Sequence, residues 1–150
     1  MTVQVAAPLA GRAVPLADVP DAVFAEQMLG SGVAIEPAAG SVTAVAPVAG
    51  NLAKVHPHAY VVIEPSGAGV LVHLGIDTVG LGDAAFTVHV SEGDDVAAGA
   101  PVVTMDVDAV RARGLSAICP VVLMESGPDG TRDHASGDVR PGDPLFSWEA

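Results

Sequence analysis

Apolar residues recur at every second position through most of this chain, the period of a strand with one buried face. From Val3 to Val14 the pattern reads strand, turn at Pro8–Gly11, strand. "DAVFAEQML", Asp21 to Leu29, is the first helix-like stretch; Asp21 can cap it and Gly30 can end it. Val33–Glu36 is a short strand, and "AAGSVTAVAPVAGNLAKVH" gives two alternating runs broken at Pro47 and Gly50. His58–Ile63 and Val70–Ile76, separated by a Pro-Ser-Gly-Ala-Gly stretch, form a candidate hairpin. Phe86–Val90 and Val102–Asp106 flank "SEGDDVAAGAP", and Val107–Arg113 reads as a short helix ended by Gly114. Ile118–Met124 is a strand, "SGPDGTRDHASG" is a polar loop, and "GDVRPGDPLFSW" closes the chain with a strand. "EGDDVAAGAPVVTMD" and "SGDVRPGDPLFSWE" share a Gly-Asp pair, a Val, a Gly and then an apolar strand, a weak internal repeat.

Composition supports this reading. Half of the 150 residues are apolar, enough for one domain over 1–150 with its own core. Val and Ala dominate over aromatics, and 17 Gly and 12 Pro favour short strands and turns. The net charge of −12, with Lys54 the only lysine, excludes a nucleic-acid binder, which needs clustered Lys and Arg. An acidic surface steers basic partners instead. One cysteine, Cys119, allows no internal disulfide and suits a reducing compartment. The start, "MTVQVAAPLAG", has no basic segment and no long apolar core, and no run approaches a membrane span, so a cytoplasmic protein is expected.

The chemistry concentrates in "KVHPHAYVVIEPSGAGVLVHLGIDTV", Lys54 to Val79, which holds three of the five histidines. Alternation assigns Ala59, Val61 and Ile63 to one face of the first hairpin strand, and Val70, Val72, Leu74 and Ile76 to one face of the second. If those sets share the core, His58, Tyr60 and Val62 face outward with Leu71, His73 and Gly75. His58 and His73 are an odd number of positions apart, so an even-length loop brings both to one face, roughly 5–8 Å apart. Leu71, Gly75 and Leu81 would give them an apolar, reachable setting. A neutral imidazole is a good nucleophile that titrates near neutrality. In phosphoryl transfer one histidine can accept the group while the other holds its oxygens. The competing chemistry is metal binding, through an H-x-H at His56 and His58 and an H-x-x-x-D at His73 and Asp77.

"GAGVLVHLGIDTV", Gly67–Val79, resembles the phosphorylation-site signature of the glucose-type enzyme IIA of the bacterial phosphoenolpyruvate:sugar phosphotransferase system. That signature is Gly, two residues, three aliphatics, His, aliphatic, Gly, aliphatic, any residue, Thr, aliphatic, and it fits at every position. "APLAG", "VPDAVFAEQMLGSGVAIEP", "VAPVAG", "HAY" and "PVV" match in order along nearly the whole chain. The resemblance implies an all-β fold, an antiparallel β-sandwich built as a duplicated hybrid motif with one or two short helices. It implies that His73 accepts a phosphoryl group on Nε2 and that His58 stabilises it. Asp21 and Asp77 match acidic residues that meet an arginine on the phosphocarrier protein HPr. Val23, Phe24, Met28, Leu29, Leu71 and Val79 match the apolar docking surface, and Thr78 and His56 are supporting positions. His56 is a departure: many members carry Thr there, which helps orient the second histidine. Its imidazole could take that role or add a third metal-capable group. The tail before Ala7 is too short for the membrane-binding tail of some members. The implied partners are HPr and the enzyme IIB and IIC components of a sugar permease. No cofactor and no metal are required, although His58 and His73 could take up adventitious zinc.

The other candidates are weaker. Cys119 lies in "SAICPVV", an apolar run, and reads as an inert core thiol. His89 reads as a surface strand residue and His134 as a solvated loop residue. A zinc metallopeptidase of the lysostaphin type also uses an H-x-H and an H-x-x-x-D, but in the reverse order and far apart. A lipoyl- or biotin-carrier needs a lysine at a hairpin tip, and Lys54 lies inside a strand-like run. A purely regulatory binding protein of the same type would use the same face.

Overall fold

The alternating runs fold as strands, and their arrangement is a duplication. The computed structural model describes residues 1–150. Strands β1 (Thr2–Ala6), β2 (Gly11–Pro15), β3 (Gly30–Pro37), β4 (Ser41–Val45), β5 (Gly50–His56), β6 (Ala59–Ile63) and β7 (Gly69–His73) form the first half. Strands β8 (Phe86–Val88), β9 (Asp95–Val96), β10 (Pro101–Asp106), β11 (Cys119–Met124), β12 (Gly137–Val139) and β13 (Pro144–Glu149) follow. The helices are α1 (Ala22–Ala25) and α2 (Val107–Ala112). All pairings are antiparallel, so the expected antiparallel β-sandwich with short helices is what the chain adopts.

One sheet of eight strands runs β12-β2-β3-β11-β7-β6-β5-β9; β4-β10-β8 and β1-β13 form two smaller sheets. The large sheet reads the same from both edges, with β12 matched by β9, β2 by β5, β3 by β6 and β11 by β7. The match holds in detail. Arg12 pairs with Asp138 as Asn51 pairs with Asp95. The β1–β13 and β4–β10 ladders both slip by one residue at the same place, between Val5 and Ala6 and between Pro101 and Val103. Ala7 exchanges backbone hydrogen bonds with Asp143 and Gly142 at 2.7 and 3.0 Å, as Ala46 does with Ala100 and Gly99 at 2.9 Å each. The two copies are tied reciprocally: Ala6 donates to Pro47 at 3.0 Å and Val45 donates to Pro8 at 2.7 Å. The weak repeat read in the sequence is half of this unit. The other half is "APLAG" and "APVAG", Ala7–Gly11 and Ala46–Gly50.

Burial divides along the two faces of the large sheet. Between the sheets lie Val33, Ile35, Tyr60, Val62, Val70, Val72, Leu74 and Val121, packed against Val5, Met105, Phe146 and Trp148 from the smaller sheets. A second, smaller cluster covers the opposite face: Leu16, Val19, Phe24, Ala34, Ala59, Leu71, Ile76, Ile118 and Val122. This corrects the face assigned to the first hairpin strand. Tyr60 and Val62 are in the main core, opposite Val72 and Val70, and Ala59 and Val61 lie on the outer face. "AYVVI" is apolar at every position, so alternation carries no information there. The tyrosine is amphipathic but wholly buried, and its hydroxyl donates to the Val45 carbonyl at 2.7 Å. Left unpaired, that hydroxyl would cost about 1–3 kcal/mol.

Two elements are shorter than expected. The Asp21–Leu29 helix ends after Ala25, because Gln27 turns into the left-handed region at φ 57°. Met28 N–H then bonds Val23 C=O at 2.9 Å and Gln27 N–H bonds Phe24 C=O at 3.0 Å, a Schellman closure. The Val70–Ile76 strand ends at His73, since Gly75 at φ 79° and Asp77 at φ 60° break the extended run.

Gly11 and Gly50 sit where the two copies cross their neighbours. A Cβ on Gly11 would run into the Glu36 carbonyl, and one on Gly50 into the Ile63 carbonyl. Gly11→Ala and Gly50→Ala should each lose about 1–3 kcal/mol in urea unfolding, because the obstacle is backbone. Gly127→Ala, with nothing within 4 Å, should stay near wild type. Equal losses at all three positions would show that close approach is not the constraint.

Candidate functional site

His73 is the last residue of β7, on the outer face of the large sheet, directly opposite Ala59 of β6. The chain reverses immediately after it. Gly75 takes φ 79°, and a Cβ there would lie 2.7 Å from Thr78 Cγ2 and 3.0 Å from the Ser116 carbonyl. The reversal is held by Thr78, whose buried hydroxyl donates to the Leu74 carbonyl at 2.7 Å, and by Ile76 N–H on Ser116 C=O at 2.9 Å. It turns the Gly75 carbonyl back onto the His73 ring, where it accepts from Nδ1–H at 2.6 Å. A carbonyl can only accept, so Nδ1 carries the proton and Nε2 keeps a free lone pair.

His58 reaches the same place by another route. Regular alternation in the observed register would put positions 58 and 73 on opposite faces, since residue pairs across β6 and β7 share parity. The loop between these strands spans five residues, Glu64–Ala68, so the expected even-length loop is absent. His58 instead lies with Pro57 in the turn between β5 and β6, outside both strands, where its side chain is free of the alternation. Its carbonyl accepts from Leu74 N–H at 2.7 Å, which ties the turn to the end of β7. The His58 and His73 rings are 5.3 Å apart at 77°, edge to face. Phe24 of α1 packs on the other side of His73 at 5.1 Å, and His56 stacks on His58 at 5.7 Å and 25°. Four rings thus stand in file: Phe24, His73, His58, His56.

Asp21 caps α1, accepting from Val23 N–H at 2.9 Å, and Asp77 sits in the reversal after β7. Both carboxylates act on His73. Burial pushes the His73 pKa down from 6.5, opposed by the Gly75 hydrogen bond and then by Asp21 and Asp77; burial prevails. The His58 pKa is also pushed down, by burial first and then by the like charges of His73 and His56. Each ring is therefore neutral at neutral pH.

The apolar residues separate into two kinds. Val23, Met28, Leu29 and Val79 are exposed, by 39, 69, 36 and 72%. Phe24 and Leu71 are buried, by contrast, in the cluster on the outer face of the sheet. Leu81 packs against the main core and is not part of the patch. Sequence reading did not single out Ala59, the small side chain opposite His73, nor Ser116; an alanine and a loop serine carry no signal of their own. Cys119 is fully buried with its thiol pKa pushed up to about 12 by burial, and donates to the Ala117 carbonyl at 3.2 Å. His89 is exposed on the Thr104 hydroxyl, at 2.7 Å. His134 is not simply solvated: it bonds the buried Thr131 hydroxyl at 2.7 Å, pinning the last loop. No group of three or more His, Cys, Asp or Glu is gathered as metal ligands would be.

Residues 3–127 match the model of the phosphoenolpyruvate-dependent sugar phosphotransferase system, EIIA 1. The chain belongs to this family. It is 42% identical over 136 residues to the PTS system mannose-specific EIIBCA component of Corynebacterium glutamicum, covering 91% of this chain and 20% of the relative. It is 41% identical over 128 residues to the glucose-specific EIIBCA component of Corynebacterium glutamicum, covering 85% and 19%. The chain thus spans about a fifth of the length of these curated relatives. The structure of glucose permease IIA from Mycoplasma capricolum superposes with a TM-score of 0.91 at 33% identity, over 99% of this chain and 97% of that one. EIIA domains are phosphotransferase components that carry a phosphoryl group on a histidine. The metallopeptidase and regulatory alternatives gain no support from these matches.

The depressed His58 and His73 values have a consequence for stability. The unfolded chain takes up protons at these residues near pH 6.5, while the folded EIIA domain resists. Folding stability should therefore fall as pH drops through and below 6.5. In a His58→Gln/His73→Gln double variant the fall should be shallower; urea midpoints between pH 7.5 and 5 would show parallel curves if neither ring is perturbed.

Proposed function

We propose that residues 1–150 act as one EIIA domain, a phosphoryl carrier in which His73 is the acceptor and His58 its support. The observation that carries this reading is the free Nε2 of His73, set by the Nδ1–H bond to Gly75, on a ring 5.3 Å from that of His58. Nε2 attacks phosphorus on the phosphohistidine of HPr. A new N–P bond forms as the donor N–P bond breaks, and the donor imidazole leaves with that electron pair. His73 retains its Nδ1 proton on Gly75 throughout. His58 presents an N–H to the phosphoryl oxygens, the preorganised donor that such a transfer requires. The phosphoryl group then passes to a cysteine of a sugar-specific enzyme IIB, the S–P bond replacing the N–P bond.

HPr would dock on the exposed Val23, Met28, Leu29 and Val79, with Phe24 and Leu71 beneath and Thr78 holding the reversal. Asp21 and Asp77 at the rim would meet a basic residue of HPr, as an acidic surface favours. The relatives' names join IIB, IIC and IIA, which supports the permease components as the partners on the other side. Regulated transporters or enzymes could use the same face. The reading places the domain in the cytoplasm, without membrane insertion or nucleic acid. No helix is long and apolar enough to cross a membrane.

Incubation with phosphorylated HPr should add one acid-labile, base-stable phosphoryl group, and His73→Ala should abolish it with the fold intact. His58→Ala should still accept phosphate, about 10²–10³ slower, since one preorganised donor is lost. His58→Gln keeps an N–H and should recover part of that rate. Rapid quench of all three proteins decides the assignment; a phosphorylated His73→Ala protein would overturn it.

Docking makes a separate prediction. Met28→Ala and Val79→Ala should speed dissociation of HPr, while Asp21→Lys should slow association and change its salt dependence, because rim charges act on the encounter. Unchanged transfer kinetics at subsaturating HPr in all three variants would mean that the docking face lies elsewhere.

A further inference from the structure

Tyr60 and Val62 face the main core from β6, and the next position of that row, just past the strand, is Glu64. It is the only buried side chain among the 18 acidic residues. Its Oε1 accepts from Ser66 N–H at 2.6 Å, closing the turn that follows β6. Oε2 has no partner within the chain, yet no buried side-chain oxygen is sealed away unbonded, so Oε2 reaches open space. The ion pairs of the chain engage Arg111, Arg132 and the N-terminus, and none includes Glu64. The turn does not need the charge, since one neutral acceptor such as a Ser or Asn oxygen can close such a turn. The frame does not need it either: the register that matches Tyr60 to Val33 matches Glu64 to Pro37.

Glu64 lines a cavity of about 260 Å³ at the seam between the two copies. Ala6 and Pro47, whose hydrogen bond ties the copies, form part of its wall with Val48, Ala98 and Pro144, and Gln4 stands at the rim. The volume falls below the roughly 300–1,000 Å³ of sites for drug-sized ligands. Five residues separate Glu64 from Ala59, the partner of His73, or roughly 17 Å of extended chain, so the cavity is remote from the histidines.

We propose that this seam cavity binds a small primary alkylammonium group, its nitrogen on the Glu64 carboxylate and its carbon stem against Pro47, Val48 and Ala98. A buried carboxylate without a counter-ion favours a cation that brings hydrogen-bond donors with it. An apolar wall favours one that carries a short aliphatic stem. A hard metal ion needs six or more oxygens, and no group of metal-binding side chains gathers here. A guanidinium has five donors in a fixed plane, more than one carboxylate oxygen and the Gln4 amide can meet. The net charge of −12 concentrates cations near the surface. The proposal is independent of phosphoryl transfer.

Titration of the nitrogen-15-labelled protein with n-butylammonium chloride, at ionic strength matched with sodium chloride, tests it. The amides of Val48, Ala49, Ser66 and Ala98 should shift saturably, with a Kd on the order of 1–10 mM for so small a ligand. n-Butanol, the same stem without charge, should bind at least about tenfold more weakly. Glu64→Gln keeps an oxygen for Ser66 N–H and loses the charge, and should weaken n-butylammonium by about tenfold or more. Ala98→Phe, at an exposed rim position, fills the mouth without touching the carboxylate and should abolish the shifts. N-acetyl-lysinamide distinguishes the sources of the group. Binding like that of n-butylammonium supports a lysine side chain of a partner as the guest, and binding of n-butylammonium alone supports a free amine. Absence of saturable shifts with both amines, equal affinity for n-butanol, or unchanged affinity in either variant would each overturn the proposal.

Discussion

The hydrogen bond from His73 Nδ1–H to the Gly75 carbonyl, 2.6 Å long, is the constraint on which the site depends. It decides which nitrogen carries the proton, and so which one is free to react. A residue can accept a bond from the ring two positions before it only if the chain doubles back at once. That requires the left-handed turn at Gly75, where a side chain would collide with Thr78 and the Ser116 carbonyl. The buried Thr78 hydroxyl on Leu74 closes the reversal on itself, and the Ile76–Ser116 and Leu74–His58 bonds lock it to two separate parts of the chain. The signature residues Gly75 and Thr78 are thus tied physically to the tautomer of His73.

The duplicated frame explains why such a reversal is available. Its center is the β7–β11 pair, and each half supplies one of those strands. The pair Tyr60–Val72 in one half corresponds to Val33–Val121 in the other. By that register, the counterpart of His73 is Val122, which is fully buried in the outer cluster. The same backbone position holds an imidazole in one copy and a core aliphatic in the other. The symmetric frame provides rigidity, and the chemistry occupies one half only. The smaller sheets cover one face of the large sheet, leaving the other for α1 and the histidines.

Much of this was legible in the sequence where residue type alone determines the outcome. Strand positions followed from alternation, turns from Gly and Pro, and the end of α2 from Gly114, which takes φ 75°. His73, His58, Asp21 and Thr78 were singled out, and the structure gathers the two histidines beside residues that Asp21 caps and Thr78 braces. The faces of β6 were not legible, because five consecutive apolar residues have no polar phase. The reasoning that joined His58 to His73 through hairpin register was wrong, although the rings do meet. A turn residue escapes the pleat, and a sequence does not mark where a strand yields to a turn by one position. The buried state of Phe24 and Leu71 was equally hidden: both are apolar, and only the packing of α1 shows that they lie beneath the surface that Met28 and Val79 expose.

The electrostatics of the two rings complete the picture. Burial acts on both, yet their neighbours differ. His73 faces Asp21, Asp77 and a carbonyl, all of which favour a positive ring, and burial must overcome them to keep it neutral. His58 faces only other imidazoles, which disfavour its charge further. On the proposed roles, this asymmetry has a direction. Before transfer both rings are neutral, so the nucleophile is available. A phosphoryl group on His73 would bring to His58 the negative partner that no carboxylate supplies, and its pKa would rise. His58 would then gain its charge when there are phosphoryl oxygens to hold, and lose it again as the group departs. The acidic residues stand by the acceptor and away from its support, and that placement lets the support respond to the cargo itself.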